Sequence, residues 1–159
     1  MRITSQVLLF TATFIICIFN IAHAQIMVSD AKIRQFLPAT KSTVGYLTIM
    51  NHSDQERVLT GVESSSFGRV EIHTHDMHQG LMKMRKLEQL TLVAHDTKVF
   101  EPGGLHLMVF EPSQPLKVGT DITITLVFAN GERVTTHAQV YSLLDEKPSN
   151  EDVHQHHHN

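Results

Sequence analysis

Cysteine is nearly absent from this chain of 159 residues, and its one position excludes most cysteine chemistry. Cys17 lies in an apolar run over residues 7–19 that follows Arg2. Ala22-His23-Ala24 then supplies a small-x-small cleavage site, so residues 1–24 are predicted to be an export signal cleaved before Gln25. The remaining chain has no cysteine, which excludes disulfides, thiolate nucleophiles and cysteinyl metal sites.

A second long apolar run is also lacking. The run over residues 7–19 is too short to cross a bilayer comfortably, and no later stretch is apolar enough to do so. A retained N-terminal anchor is the alternative interpretation. Ile16 precedes Cys17, whereas a lipoprotein cleavage site needs a small residue there. We therefore expect an exported protein without stable membrane insertion. We also expect a monomer.

The chain has no excess of positive charge. Cleavage removes Arg2 and no acidic residue, so the remaining chain has 12 basic and 16 acidic residues. Its net charge is −4 with histidine neutral. A net acidic domain is poorly suited to nucleic acid or to an anionic membrane surface. Gly-rich phosphate loops and nucleophile–base patterns are missing as well. We expect no nucleic-acid partner and no enzymatic activity.

Helical periodicity is not sustained over any ten residues, and short strand patterns separated by turns take its place. Residues 122–129 alternate, with one face formed by Ile122, Ile124, Leu126 and Phe128. Asn130-Gly131 then predicts a type I′ hairpin to the strand at 133–141. Other strand patterns cover residues 44–50, 56–62, 67–75 and 105–111. The spacing predicts an all-β sandwich or barrel over residues 25–142.

Residues 143–159 differ in composition, and we predict a flexible histidine-rich tail after a short turn at 143–146. Its polar end cannot bury enough apolar surface to order itself. A solvated tail and a purification tag are two interpretations, and a weak imidazole site for Cu(II), Zn(II) or Ni(II) is the third. The tail histidines are His154, His156, His157 and His158.

Histidine and methionine are concentrated between residues 71 and 108. Side chains at i and i+2 share one face of a strand. The pattern therefore turns Leu105, Leu107 and Val109 toward the core, and His106 and Met108 away from it. Residues 70–77 repeat this arrangement, with aliphatic residues on one face and His/Met on the other. The seven candidate ligands are His73, His75, Met77, Met82, Met84, His106 and Met108.

The ligand types favour copper. Thioether sulfur is soft and suits Cu(I), whereas zinc prefers thiolate, imidazole or carboxylate. A blue-copper centre needs a cysteine thiolate, which the exported chain lacks. A methionine on an outer face forgoes burial worth about 1.5–3 kcal/mol, and metal binding is one way to recover that free energy. Met82 and Met84 share a face only if their segment is extended.

The stretch resembles the PCuAC family of periplasmic copper chaperones. The pattern of that family is His, ten residues, Met, twenty-one residues and His-x-Met, and His73, Met84 and His106-Leu107-Met108 match it. Surrounding residues are similar too, over roughly residues 26–140. The resemblance implies a cupredoxin-like Greek-key β sandwich or barrel with a near-surface Cu(I) site. It also implies that the primary ligands are His73, Met84, His106 and Met108.

Two departures from the family pattern affect the assignment. The family often has an aromatic residue near Lys32 or Ile33, and this chain has none there. Methionine is frequent two positions after the first ligand, where this chain has His75. We therefore expect His75, Met77 and Met82 to be auxiliary ligands. Some family members also carry His/Met-rich tails that bind Cu(II), which the histidines after residue 153 resemble.

The resemblance implies a chaperone that binds Cu(I) and delivers it to a copper acceptor. The implied acceptor is the copper centre of a cytochrome c oxidase subunit or an assembly factor of that enzyme. Two alternatives remain. A sequestering protein would store copper for tolerance without delivering it, and a copper-dependent enzyme would need an open coordination position.

Overall fold

The computed structural model of the protein describes residues 25–78 and 81–145, apart from the side chains of His78 and Asp145. The predicted export signal at 1–24 and the tail histidines His154, His156, His157 and His158 lie outside the described residues. Within them the chain forms ten strands and a short 3₁₀ turn (Leu143–Asp145), which confirms the all-β prediction. The strands are β1 (Ile26–Arg34), β2 (Ser42–Asn51), β3 (Arg57–Glu63), β4 (Phe67–His78), β5 (Leu81–Leu87), β6 (Leu90–Leu92), β7 (Thr97–Val99), β8 (His106–Pro112), β9 (Asp121–Phe128) and β10 (Arg133–Tyr141).

The strands form one hydrogen-bonded sheet with a Greek-key crossover pattern. Its order is β5-β4-β8-β2-β1-β10-β9-β3-β6, and β7 pairs with β2 off this path. β1 runs parallel to β10, while the other pairings between the strands are antiparallel. The order places β4 between β5 and β8, so the three segments that carry the candidate ligands are adjacent. No helix in the described part is long and apolar enough to cross a bilayer.

Alternation along the strands builds the core as the sequence predicts. One face of β9 is buried throughout, as predicted for its four large apolar side chains. Leu107 and Val109 of β8 are buried, and so is Ile72 of β4, while Val70 packs partly buried against them. The residues that alternate with these on β8 and β4, such as His106 and His73, consequently point to the opposite face of the sheet.

The hairpin between β9 and β10 is present, but its predicted type I′ turn is wrong. The N–H of Gly131 donates to the carbonyl of Phe128 (2.9 Å), and the N–H of Phe128 donates to Glu132 (2.9 Å). Gly131 has a φ of 85°, whereas Asn130 is not among the residues with positive φ, as a type I′ turn would require. These features are typical of a three-residue loop, with a type I turn followed by a glycine bulge.

A tight turn sets the start of β8 and thereby the position of His106. The N–H of Gly104 donates to the carbonyl of Glu101 (3.1 Å), and Gly103 has a φ of 77°. Proline at the second position and a positive-φ glycine at the third are typical of a type II turn. The turn ends at Gly104, two residues before His106. The carbonyl of Gly104 is thereby within hydrogen-bond distance of the His106 ring.

Candidate metal site

Three adjacent strands bring the candidate ligands to one face of the sheet. On β4, Glu71, His73, His75 and Met77 alternate onto this face, which we call the ligand face. The register pairs His73 with His106 of β8, and it pairs His75 with Met84 of β5. Met82 and Met84 both lie in the strand β5, so they do share a face, as expected for an extended segment.

His106 is buried, with 3% of its surface exposed, which corrects the expectation that it is presented outward. The reason is that neighbouring side chains on the ligand face cover it. Its ring centroid lies 4.9 Å from that of His75 in a stacked arrangement and 5.8 Å from that of His73. Burial lowers the pKa of His106 from its ordinary value, and the neighbouring imidazoles His75 and His73 lower it further. The ring is therefore neutral at pH 7.

Hydrogen bonding fixes which nitrogen of His106 carries the proton. Nδ1 lies 3.0 Å from the carbonyl oxygen of Gly104. A carbonyl only accepts, so Nδ1 is the donor and carries the hydrogen of the neutral ring. Nε2 is then unprotonated, and its lone pair is free to bind a metal.

The unprotonated Nε2 of His106 faces the sulfur of Met84. The distance from Nε2 to Sδ is 3.2 Å. Because Nδ1 carries the hydrogen of the ring, neither atom of this contact carries one. Two lone-pair donors in contact without a proton between them form a site that suits a soft cation. Met84 is half exposed, so this pair lies at the boundary between the buried ring and solvent.

In His73 the nitrogen without a hydrogen-bond partner is Nδ1, whereas in His106 Nδ1 is the hydrogen-bonded nitrogen. Its Nε2 lies 2.9 Å from Oε2 of Glu71, and this carboxylate can only accept, so Nε2–H is the donor. Nδ1 of His73 is buried without a hydrogen-bond partner. The hydrogen bond to His73 is the main cause of the lowered pKa of Glu71, with the charges of Arg69 and Lys86 acting in the same direction. Glu71 thus stays ionised and holds His73 with Nδ1 available to a metal.

His75 of β4 lies between His106 of β8 and Met84 of β5. Its ring stacks on His106, and its register partner is Met84. Nδ1 of His75 is buried and has no hydrogen-bond partner. An imidazole nitrogen in this condition gains a favourable interaction if a metal binds beside it.

The remaining methionines lie at the two ends of the ligand face. Met108 is half-buried and pairs with Glu71, one position along β8 from the His73–His106 pair on this face. Met77 and Met82 are exposed and pair with each other at the far end of β4 and β5. The structure thus brings His73, His75, Met84 and His106 together, and it places Met108 beside them and Met77 and Met82 beyond them.

Histidine and carboxylate side chains alone form no larger metal-binding cluster in the described part of the chain. Within residues 25–78 and 81–145, no group of three or more histidine, cysteine, aspartate or glutamate side chains could hold a metal ion. The methionine sulfurs on the ligand face add donors of a second type beside the histidines. That donor set fits a Cu(I) cargo.

Two positioning groups were not predicted from the sequence, namely Glu71 and the carbonyl of Gly104. Glu71 lies two residues before His73 and hence on the same strand face, which is a signal that sequence reasoning could have used. The Gly104 carbonyl carries no side-chain signal, because its role depends on the turn that precedes β8.

Comparison with known proteins identifies the family. Residues 26–140 match the family described as "Putative lipoprotein LpqE-like". The chain belongs to the LpqE-like family. An uncharacterised protein of Rickettsia prowazekii (strain Madrid E), RP573, is 29% identical over 96 residues, which cover 60% of this chain and 53% of the relative. The match to this LpqE-like chain thus spans about half the length of that relative.

Solved structures confirm the predicted resemblance to PCuAC domains and the cupredoxin-like fold. The copper-bound PCuAC domain from PmoF2 matches with a TM-score of 0.63 at 24% identity, over 74% of this chain and 93% of that domain. The Cu(I) form of DR1885 from Deinococcus radiodurans matches with a TM-score of 0.60 at 30% identity, over 76% of this chain and 83% of that one. The apo PCuAC domain from PmoF1 has the same fold, with a TM-score of 0.63 at 23% identity, over 74% of this chain and 94% of that domain.

Proposed function

We propose that this LpqE-like protein is an exported copper chaperone that binds Cu(I) and transfers it to a partner by ligand exchange. The proposed ligands are His73, Met84, His106 and Met108. The observation that carries the proposal is the contact of 3.2 Å between His106 Nε2 and Met84 Sδ, two metal-donor atoms. Neither carries a hydrogen, because Nδ1 of His106 donates to Gly104. Support also comes from the structural similarity to DR1885 in its Cu(I) form and to a copper-bound PCuAC domain.

Cu(I) is the proposed cargo because of the donor chemistry. Imidazole nitrogen binds several transition metals, but thioether sulfur selects soft Cu(I). The absence of cysteine from the chain after residue 24 suits an oxidising compartment, where a thiolate site risks disulfide formation. We accordingly propose the periplasm as the location, with residues 1–24 as the cleaved signal.

The exposure of the ligands supports transfer rather than permanent storage. Met84 stands half exposed on the edge strand β5, while His106 is buried and held by Gly104. A ligand of the acceptor can therefore displace Met84 first, and the buried His106 releases the ion last. Each thioether bond is weak on its own, which keeps the barrier to exchange low. The reaction is metal transfer, with no covalent chemistry on a substrate.

The proposed acceptor is the copper centre of a cytochrome c oxidase subunit or an assembly factor of that oxidase. The resemblance to periplasmic copper chaperones suggests this choice. We further propose that the tail histidines His154, His156, His157 and His158 form a second, weaker site for Cu(II). Removal of residues 151–159 should then abolish Cu(II) binding and leave the Cu(I) site intact.

The function is tested by copper delivery in cells and in solution. Deletion of the gene should lower oxidase activity at low copper, and added copper should restore that activity. A sequestering protein would instead make the deletion strain more copper sensitive without an oxidase defect. In solution, Cu(I) should pass from the loaded protein to an apo oxidase copper domain. Equal affinity for Cu(I) and Zn(II) in competition titrations would contradict the proposal.

A further inference from the structure

The far end of the β4–β5 hairpin carries a pair of methionines that the four proposed ligands do not include. Met77 and Met82 pair directly across the two strands, and 69% and 63% of their surfaces are exposed. The hairpin here extends past the core, since residues 81–86 are all exposed. These two methionines therefore have no packing role that would explain them.

The register puts their sulfurs within reach of one ion. Directly opposite residues in an antiparallel pair have Cβ atoms about 4.5–5.5 Å apart. Methionine is unbranched with three rotatable side-chain bonds, so both thioethers can turn toward a common point on the ligand face. Met27 and Met50 also lie opposite each other, on β1 and β2, so the informative feature is that both members of the Met77–Met82 pair are exposed and that the pair adjoins His75.

The next pair along the hairpin connects these methionines to the proposed copper site. His75 and Met84 lie on the same face, two residues along each strand, a separation of about 6.5 Å. His75 has a buried Nδ1 without a hydrogen-bond partner, and its ring stacks on His106. Donors therefore continue without interruption from the exposed methionine pair to the buried His106.

We infer that Met77 and Met82, together with His75, form a second, outer Cu(I) site beside the site of His73, Met84, His106 and Met108. The inference rests on the proposed function, because it assigns the outer site to the same cargo. The outer site has two exposed thioethers and one imidazole, so it binds Cu(I) more weakly than the inner site. It accepts copper from a donor and passes it to Met84, and it releases copper by the reverse steps.

Methyl NMR with Cu(I) tests the inference residue by residue. The full chain, tail included, is labelled at its methionine methyl groups, and Cu(I) is added under nitrogen beyond two equivalents. The seven methionines of the sequence include Met27 and Met50, which pair with each other on β1 and β2 and serve as internal controls. We expect the first equivalent to shift Met84 and Met108, and later copper to shift Met77 and Met82 in a separate step.

Substitution provides the matched comparison. The double variant Met77→Leu, Met82→Leu should keep the first step and lose the second. Met27→Leu removes a methionine that is 48% exposed on β1 and lies opposite Met50, and it should change neither step. His75→Phe should weaken the second step by at least about tenfold, as loss of a supporting ligand commonly does.

The outcomes separate the two proposals. If Met77 and Met82 shift together with Met84 in the first step, they are ligands of a single site and the outer site does not exist. If they never shift, even with excess copper, the inference is also wrong while the inner site stands. If Met84 and Met108 fail to shift at all, the proposed copper function itself is contradicted.

Discussion

Two hairpins of this protein pair over seven residue positions each, yet they use their side chains in opposite ways. In β9–β10, alternate residues such as Ile124, Leu126 and Val140 are buried in the core. In β4–β5, Ile72 is buried and Leu87 is partly buried at one end, and the rest of β5 is exposed. The same backbone ladder thus serves the core in one hairpin and presents donor atoms in the other.

The difference shows where stability and ligand binding are separated in the fold. Burial of apolar side chains supplies most of the free energy of folding, and β9–β10 provides such side chains along its full length. β4–β5 is anchored by its core end and by the pairing of β4 with β8. Its outer end can therefore carry methionines whose replacement costs little stability. Substitutions in the two hairpins should separate these contributions.

The largest effect on stability is expected in the core hairpin. Leu126→Ala should lower the free energy of unfolding by about 2–5 kcal/mol, because it leaves a cavity under β9. Urea denaturation of the apo protein measures this loss. The Cu(I) affinity of the folded fraction should be unchanged, and a loss below about 1 kcal/mol would contradict the assigned role of β9.

Substitution of Met84 should affect Cu(I) binding and leave stability nearly unchanged. Met84→Leu should weaken Cu(I) binding by at least about tenfold, because it removes the sulfur next to His106 Nε2. The free energy of unfolding should stay within about 0.5 kcal/mol of the wild type, since the side chain is half exposed. A chelator competition measures the affinity, and Met27→Leu is the matched control.

Glu71 should affect the metal through His73. Glu71→Ala removes the acceptor of the His73 Nε2–H and should weaken Cu(I) binding by about tenfold. Nitrogen NMR of the apo protein should show His73 with a protonated Nε2 in the wild type and mixed tautomers in the variant. Glu71→Gln keeps an acceptor and should recover much of both properties. Unchanged His73 tautomers in Glu71→Ala would remove the positioning role.

The smallest effect is a pH dependence of stability. Burial lowers the pKa of His106 in the folded protein, while in the unfolded chain it stays near 6.5. As the pH falls below 6.5, the unfolded chain therefore takes up a proton that the folded protein does not, and stability decreases. His106→Gln should reduce the slope of stability against pH between 7 and 5. An unchanged slope in His106→Gln would contradict the burial argument.

Alternation predicted the core faces because each strand has a period of two residues and one face must be buried. It placed Ile124, Leu126, Leu107 and Val109 correctly. It could not place β6 and β7, which have three residues each and are too short to show a period. The turn after Phe128 was assigned to the wrong type because Asn-Gly also suits a glycine bulge.

The candidate site was predictable in its residues but not in its arrangement. Strand alternation put the histidines and methionines on one face, and the family spacing selected four of the seven. Neither indicates how far His106 is buried, since this depends on the rings and sulfur supplied by β4 and β5. The sequence also does not predict which nitrogen of each ring carries the hydrogen. Gly104 and Glu71 set this through hydrogen bonds that form only in the folded chain.

X-ray absorption of the protein loaded with one equivalent of Cu(I) tests the central claim most directly. We predict copper bound by both nitrogen and sulfur, with a smaller sulfur contribution in Met84→Leu and a smaller nitrogen contribution in His106→Ala. Coordination by nitrogen alone, or a spectrum that neither substitution changes, would contradict a copper site built from the His106–Met84 pair.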